Sequence, residues 1–362
     1  MMKKTTVFLM LMVMGISLFA AGVKEADTVQ MGAAAHGETE LVVYSTIFAE
    51  YAEAMKKGFE ALHPGVTVNV LNPGGTEAMF KKLESESSNP QADVVHAGSM
   101  INYQHAIEDG LIAPYKPTTP GFKASIQVGD SKLQLSHPED YYHVWSLMFT
   151  GIMYNQQVLD RYKLPVPKTY KDLANPIYKD QIISANPLKS STASSNIIAM
   201  LQIYDDEAPS LWEKINANLP YYSGSSSRIY TLVSKGEFAL AIGLSRPALV
   251  AIGEGYPVGF VFPADGSQIY DNSMALVKGA KHPNLAKAFM DYILSDEMQL
   301  KGTEYLYIPV KAGVVDSSLP FSLESVTSGI GNIYAPDPAL AEENRELIQN
   351  TFGEYIRTKG TK

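Results

Sequence analysis

Short apolar runs alternate with segments of helical periodicity through the first third of the chain. The first run covers residues 41–44, and a set of apolar residues then recurs at the spacing of one helix face: Phe48, Tyr51, Ala52, Met55 and Phe59. Two more runs, at 66–71 and 92–96, are each followed by a small-residue turn and another helical segment. Repeated strand–turn–helix units predict an α/β region built on a largely parallel sheet.

The alternation continues after a long extended stretch over 141–154, which we expect to carry the chain into a second region. Further strands are predicted at 182–184, 219–222, 238–244 and 258–262, with helices over 196–204 and from 226. The apolar run at 274–277 and the helix after it are expected to return to the first region. We therefore predict two lobes, the first formed by 41–143 and 267–320 and the second by 144–266 and 321–362.

The N-terminus has the layout of a secretory signal peptide. Lys3 and Lys4 precede an uncharged, mostly apolar stretch over 5–19, and small residues follow at 20–22. This stretch of about 15 residues is shorter than the roughly 20 needed to span a bilayer. We predict a signal peptide at 1–21, a flexible leader at 22–40 and a periplasmic protein.

Composition excludes several classes of function. The net charge is −9 and the basic residues are scattered, whereas nucleic-acid binding needs clustered Lys and Arg. The chain has no cysteine, which excludes a disulfide, a thiolate nucleophile and a Cys-bound metal. We expect a monomer that needs no cofactor and binds no nucleic acid.

Turns rich in Ser, Thr and Gly recur where a predicted strand passes into a helix. The first turn of a helix has free backbone N–H groups and a partial positive charge, which suit phosphate and carboxylate groups. Ser and Thr are also ordinary helix N-caps, so each turn taken singly has a purely structural alternative. The turns are Ser45–Thr46, Gly74–Thr76, Gly98–Ser99, Ser190–Thr192 and Ser225–Ser227.

The sequence resembles the periplasmic ligand-binding proteins of ABC importers with the type II fold, within the group that binds ferric ion, hexose phosphate, phosphonate and thiamine. The resemblance covers residues 40 to 310, approximately, and is carried by six segments: 41–46, 92–99, 236–241, 255–258, 262–266 and 286–295. It implies an α/β fold of two lobes with central mixed sheets, joined by a hinge of crossover strands. It also implies an ABC permease and its ATPase as partners.

The residues that ferric-ion members use for the metal are absent on this resemblance. Phe48 stands where a His is expected, Gly98 and Ser99 where an acidic residue is expected, and Arg246–Pro247 where a tandem Tyr pair is expected. A tandem pair does occur at Tyr221–Tyr222, one strand too early, where core or cleft wall is the favoured interpretation. We predict no metal ligands.

The positions that hold a synergistic anion in those members remain polar here, at 191–193, Ser226 and Ser245. Arg246 is suited to pair bidentately with an anion, although a salt bridge to a neighbouring carboxylate is an equal alternative. Asp265 is suited to accept hydrogen bonds from sugar hydroxyls or an amine, or to serve in an Asx-turn. The predicted ligand-binding residues are Ser45, Thr46, Gly75, Thr76, Ser99, Trp145, Ser191, Thr192, Ser226, Ser245, Arg246 and Asp265.

A catalytic function has little support in the sequence. No HExxH, GxSxG or Walker A pattern occurs, and a lone histidine such as His96 is more often structural than a general base. We therefore expect no catalytic residues. The predicted function is capture of a small anionic ligand, such as a sugar phosphate or phosphonate, for an ABC importer. The alternatives are a ferric-ion binding protein and, less favoured, an exported hydrolase.

Overall fold

A computed structural model of the protein describes residues 37–128, 131–311, 314 and 332–362. The predicted signal peptide and most of the predicted leader lie outside these residues, as do parts of both predicted lobes between 312 and 331. None of the helices in the described part of the chain combines the length and apolar character needed to cross a bilayer.

Strands and helices alternate along most of the described chain. The strands are β1 (Glu40–Ser45), β2 (Thr67–Leu71), β3 (Val94–His96), β4 (Ile112–Ala113), β5 (Ser125–Val128), β6 (Ser131–Gln134), β7 (His143–Asn155), β8 (Ile182–Ala185), β9 (Tyr222–Ser223), β10 (Leu240–Leu244), β11 (Val258–Val261), β12 (Ser267–Val277), β13 (Ile308–Pro309) and β14 (Ile333–Tyr334). The helices are α1 (Ala49–Leu62), α2 (Thr76–Ser85), α3 (Met100–Glu108), α4 (Gln156–Tyr162), α5 (Ser191–Tyr204), α6 (Ala208–Asn218), α7 (Ser226–Ser234), α8 (Ser245–Gly253), α9 (Pro283–Ile293), α10 (Asp296–Glu304), α11 (Pro338–Glu343) and α12 (Arg345–Lys359). Short 3-10 helices occupy Lys171–Ala174, Pro176–Tyr178 and Asp205–Glu207.

The main sheet is mixed, as predicted. Its strand order is β2-β1-β3-β12-β7-β10-β8-β9. Pairing is parallel between β1 and both its neighbours, and again between β10, β8 and β9. The two long strands β7 and β12 pair antiparallel with each other in the middle of the order, so they connect the two parallel groups. The strand path is continuous through these two crossover strands, and the division into two lobes stays a prediction.

Helix faces match the spacing of apolar residues in the sequence. In α1, Tyr51, Met55 and Phe59 are fully buried, and the helix ends at His63 before Pro64. Phe59 packs edge-on against Phe289 of α9, with the ring centroids 5.2 Å apart. Burial of such large side chains stabilises the fold by about 2–3 kcal/mol each.

Several boundaries differ from the sequence prediction. Helix α5 begins at Ser191 rather than 196, because the Ser190 side chain accepts a hydrogen bond from the Ala193 N–H and caps the helix there. Strand β9 begins only at Tyr222, because α6 continues to Asn218 and the chain leaves it through its C-cap Leu219. Strand β12 begins at Ser267 instead of about 273. The end of the predicted leader is also ordered, since the Glu38 carboxylate accepts the Leu285 N–H at 2.8 Å in the first turn of α9.

A buried carboxylate on β12 ties the sheet to α3. Asp271 is fully buried, and its Oδ2 accepts hydrogen bonds from the Met100 N–H at 2.7 Å and the Ser273 hydroxyl at 2.6 Å. Its Oδ1 has no partner. Burial raises the pKa of Asp271 from 3.8 to about 6, and the hydrogen bonds from Ser273 and Met100 oppose that rise.

The raised pKa makes stability depend on pH in a defined direction. Below about pH 4 the folded and unfolded states both hold this proton, and the contribution of Asp271 to stability is fully present. It is lost as the pH rises through about 6, because the folded state must then bury a charge that the unfolded state exposes to water. Asp271→Asn keeps an acceptor for Met100 and removes the charge. The free energy of unfolding of this variant, relative to the natural protein, should rise by up to about 3 kcal/mol between pH 4 and pH 7.

Urea unfolding at a series of pH values measures this difference. Ser273→Ala is the matched control, since it keeps the carboxylate and removes a hydrogen bond that lowers the pKa. The loss of stability with rising pH should steepen in that control. Parallel pH profiles for the natural protein and Asp271→Asn would show that Asp271 does not titrate in this range.

Candidate ligand-binding site

A cavity of about 790 Å3 opens where several strand-to-helix turns meet. The turns after β1, β2 and β3 line one part of it, and the turns that begin α5 and α7 line another. The remaining wall comes from α7, α8, the two crossover strands and the segment after α10. The lining residues include Thr46, Phe48, Asn72, Gly75, Thr76, Gly98, Met148, Lys189, Ser191, Thr192, Ser225, Ser226, Tyr230, Lys235, Glu254, Tyr256, Tyr270, Asn272 and Tyr307.

Several helices begin at this cavity, among them α1, α2, α5 and α7. The N-caps of α1, α2 and α7 are Phe48, Gly75 and Ser225, and at none of them does the N-cap side chain bond the first-turn N–H groups. Helix α5 is capped by Ser190 through the Ala193 N–H alone. The free N–H groups and the positive ends of these helices therefore face a common space. Such an arrangement favours a negatively charged group.

Helix α3 shows the opposite arrangement. Its N-cap Ser99 accepts the Ile101 N–H, and the Asp271 carboxylate accepts the Met100 N–H. The protein's own carboxylate thus occupies this helix start. Ser99 is buried and does not line the cavity, although the adjacent Gly98 does.

Hydroxyl groups lie close together on the cavity wall. The Ser191 and Tyr270 hydroxyl oxygens are 3.1 Å apart, and those of Thr46 and Thr76 are 3.4 Å apart. Burial raises the pKa of Tyr270, so this phenol stays protonated and available as a donor. Two exposed lysines, Lys189 and Lys235, and one exposed glutamate line the cavity as well, which gives it a positive formal charge among its lining residues.

The structure brings together part of the predicted site. Thr46, Gly75, Thr76, Ser191, Thr192 and Ser226 all line the cavity. Their spacing in sequence is wide, but each follows a strand of one of the two parallel groups, which run in opposite directions to each other in the sheet. Their contact with a ligand stays a prediction.

Other predicted residues lie behind the wall and make structural contacts. Ser45 shares a hydrogen bond with Nδ1 of His96 at 3.0 Å, and Trp145 stacks on the same histidine with 4.5 Å between ring centroids. Burial lowers the pKa of His96 to about 3, which keeps the ring neutral. Ser245 accepts the Phe149 N–H at 3.2 Å and so joins the start of α8 to β7. Ser45, Trp145 and Ser245 are buried and are not among the lining residues, and their predicted contact with a ligand stays a prediction.

Asp265 lies away from the cavity. Its carboxylate accepts the Tyr170 N–H at 3.0 Å and the Tyr204 hydroxyl, so both interactions are internal to the protein. The turn-forming alternative for this residue matches its position better than contact with a sugar hydroxyl.

Arg246 is buried directly behind the wall, with only 3% of its surface exposed. Its guanidinium lies between two lining residues, 4.0 Å from the Phe48 ring centroid and 4.3 Å from that of Tyr307. Nε donates to the Tyr305 carbonyl at 2.6 Å. Among the described residues, no carboxylate lies within ion-pair distance of this side chain, so the salt-bridge alternative is not seen there. Burial lowers the pKa of Arg246, and electrostatic interactions with Tyr307 and Glu50 oppose that effect.

The sequence analysis missed several lining residues. Tyr270 and Asn272 belong to the part of β12 that precedes the predicted apolar run at 274–277, and Tyr307 follows α10 far along the chain. Lys189 lies in a turn that was noted only for its hydroxyls. The sequence does contain one indication of them, the polar pair at 270 and 272. Residues two apart in a strand lie on the same face, so both side chains would share one face of β12.

The ferric-ion binding proteins that the sequence resembles have metal ligands at positions that lie at this cavity. In this chain other residues occupy those positions. Phe48, Gly98 and Pro247 line it. Within the described ranges, no group of three His, Asp or Glu side chains is arranged to hold a metal. Tyr222 is buried against Phe352, with its hydroxyl donating to Asn216, and Tyr221 packs against Phe238, so the tandem tyrosines belong to the core.

Comparison with known proteins gives relatives over most of the chain. An uncharacterised protein of Haemophilus influenzae is 27% identical over 290 residues, which cover 78% of this chain and 81% of that protein. Iron uptake protein A1 of Synechocystis is 26% identical over 307 residues, 80% of each chain. A putative 2-aminoethylphosphonate-binding periplasmic protein of Salmonella typhimurium is 24% identical over 265 residues, 70% of this chain and 72% of that one.

Solved structures share the fold. The periplasmic binding protein AfuA from Actinobacillus pleuropneumoniae, with fructose 6-phosphate bound, superposes with a TM-score of 0.78 at 23% identity, covering 88% of this chain and 99% of that one. The ferric binding protein from Campylobacter jejuni gives a TM-score of 0.69 at 21% identity, covering 87% and 99%. These likenesses confirm the predicted type II periplasmic binding protein fold.

A family pattern matches residues 89–322, which is more than half of the chain. It includes α3, both crossover strands and the turns that begin α5 and α7. The protein therefore belongs to the bacterial extracellular solute-binding proteins.

Proposed function

We propose that the protein is the periplasmic solute-binding subunit of an ABC importer and that it captures a small organic anion bearing a phosphate or phosphonate group. The observation that carries this proposal is the convergence of helix starts on one cavity. Three of them, those of α1, α2 and α7, have no side-chain cap, so their N–H groups are left for solvent or a ligand.

A phosphate group is well matched to this arrangement. Its oxygens accept several hydrogen bonds at once, and its negative charge interacts favourably with the helix dipoles. The exposed lysines at 189 and 235 add attraction at longer range. The volume of about 790 Å3 leaves room for a sugar or aminoalkyl group beside the phosphate.

Hydroxyl and aromatic groups then suit the remainder of such a ligand. Ser191, Thr76 and Asn272 offer donors and acceptors for sugar hydroxyls. Tyr256, which is 41% exposed, offers an apolar ring face. Among the ligands printed for the relatives, which also include thiamine and iron, fructose 6-phosphate and 2-aminoethylphosphonate both combine an anionic phosphorus group with a small polar body.

The ferric-ion alternative rests on relatives alone. An iron uptake protein and a ferric binding protein are among them. At the corresponding positions of this chain, Phe48 and Gly98 offer no oxygen or nitrogen side-chain donor, and hard cations such as Fe(III) need anionic oxygen ligands. We infer that the cargo is an anion and that the protein acts by binding and release rather than by catalysis. A permease and its ATPase would receive the ligand.

Isothermal titration calorimetry with a panel of ligands tests the proposed function. Fructose 6-phosphate or 2-aminoethylphosphonate should give saturable heat with one site per chain, and neutral fructose should bind at least about 100-fold more weakly, because it lacks the group that the helix starts accept. Tight Fe(III) binding with no heat from either anion would reverse the assignment of the cargo. Incubation with fructose 6-phosphate should release no inorganic phosphate.

A charge placed at the start of α7 should compete with the ligand. Ser226 lies in the first turn of this helix and lines the cavity. Ser226→Asp supplies a fixed carboxylate that should stabilise the helix by about 0.5 kcal/mol. The same carboxylate should repel the ligand and lower the affinity for an anion by about tenfold or more. Ser226→Asn has nearly the same size without the charge and is the matched control. Calorimetry of both variants measures the affinity for the anion, and thermal unfolding measures the stability. Equal affinity of the Ser226→Asp and Ser226→Asn variants would show that the start of α7 is not part of the anion site.

A further inference from the structure

Arg246 has no ion-pair partner among the residues that the structure describes. This side chain is 3% exposed, its Nε donates to a carbonyl, and its Nη1 is buried with no hydrogen-bond partner. Its guanidinium packs against the ring faces of Phe48 and Tyr307, and the Glu50 carboxylate acts on its charge from beyond ion-pair distance. A buried charge without an ionic partner is unfavourable, and cation–π contacts offset only part of that.

Other buried donors without partners surround the same aromatic ring. The Tyr51 hydroxyl and the Trp145 Nε1–H are both buried and unpartnered. The ring centroids of Tyr51 and Trp145 lie 5.2 Å and 5.0 Å from that of Tyr307, on which the Arg246 guanidinium also packs. The side chains of all three unpartnered donors thus pack against one cavity-lining ring, and of the three only Arg246 carries a charge.

We propose that Arg246 is the counter-charge for the anionic group of the ligand and that Phe48 is the side chain that covers it until the ligand arrives. This inference rests on the proposed function, because it names the residue that the captured anion pairs with. It adds a conformational step, in which Phe48 moves and the guanidinium becomes accessible from the cavity.

Phe48 rather than Tyr307 is the mobile cover. Phe48 is 43% exposed, whereas Tyr307 is 3% exposed and packs against the rings of Tyr51 and Trp145. Phe48 also occupies the N-cap of α1, where its side chain makes no capping bond. Displacing it loses few contacts and uncovers the face of Arg246 that is packed against its ring, 4.0 Å from the centroid.

Two measurements test the inference, with fructose 6-phosphate and 2-aminoethylphosphonate as probes. In calorimetry, Arg246→Met should lower the affinity for the anion that the natural protein binds. The expected loss is about 10- to 100-fold, since a buried charge-assisted hydrogen bond is lost. Arg228→Met is the matched control, because it removes the same charge from an exposed position on α7 outside the cavity lining and should change affinity less than about threefold.

The second measurement does not depend on the stability of an Arg246 variant. Phe48→Ala should make Arg246 react with phenylglyoxal faster than in the natural protein, as read by peptide mass spectrometry, and a saturating probe should suppress that reaction. Equal affinity of the natural protein and Arg246→Met, or no protection by the probe in Phe48→Ala, would overturn the role of Arg246 while leaving anion capture intact. A natural protein that binds neither anion would instead refute the proposed function, and this inference with it.

Discussion

Free backbone N–H groups at helix starts are the constraint around which the site is arranged. A helix start that is buried needs acceptors, and this chain satisfies the requirement in two ways. At α3 an internal carboxylate, Asp271, accepts the Met100 N–H. At α1, α2 and α7 the N-cap side chains make no such bond, and these starts open on the cavity instead. The difference separates a structural helix start from one that is left for a ligand.

Local signals were sufficient for most of the fold. The apolar runs and the turns after them predict β1, β2, β3 and their helices close to their observed bounds. This is because the periodicity of a strand or a helix depends on residues that are close in sequence. The early start of β12 was missed because its polar residues, such as Asn272, interrupt the apolar pattern that predicts a buried strand. They are buried in the middle of the sheet, where Asn272 donates to the Ser146 hydroxyl at 2.9 Å. That partner is 126 positions away in sequence, so no local pattern could indicate it.

The site was predicted less completely for the same reason. Thr76 and Ser99 both follow strands and both begin helices, yet only Thr76 lines the cavity. The difference depends on Asp271, whose position next to α3 follows from the pairing of β12 with β3. Arg246 was assigned to the cavity from its place after β10, but the structure packs it beneath Phe48. Sequence therefore identifies the turns that can bind an anion, and tertiary packing decides which of them do.

The charged groups around the cavity differ in how water and salt affect them. Lys189 and Lys235 are exposed, so salt screens their attraction for an anion over a distance of about 10 Å. They are suited to raising the rate of encounter more than the lifetime of the complex. The N–H groups at the helix starts, and Arg246 once uncovered, act at hydrogen-bond distance from a partly desolvated ligand, where screening is weak. Raising the salt concentration should therefore slow ligand association while leaving the dissociation rate nearly unchanged, since the contacts that hold the anion are those that salt reaches least.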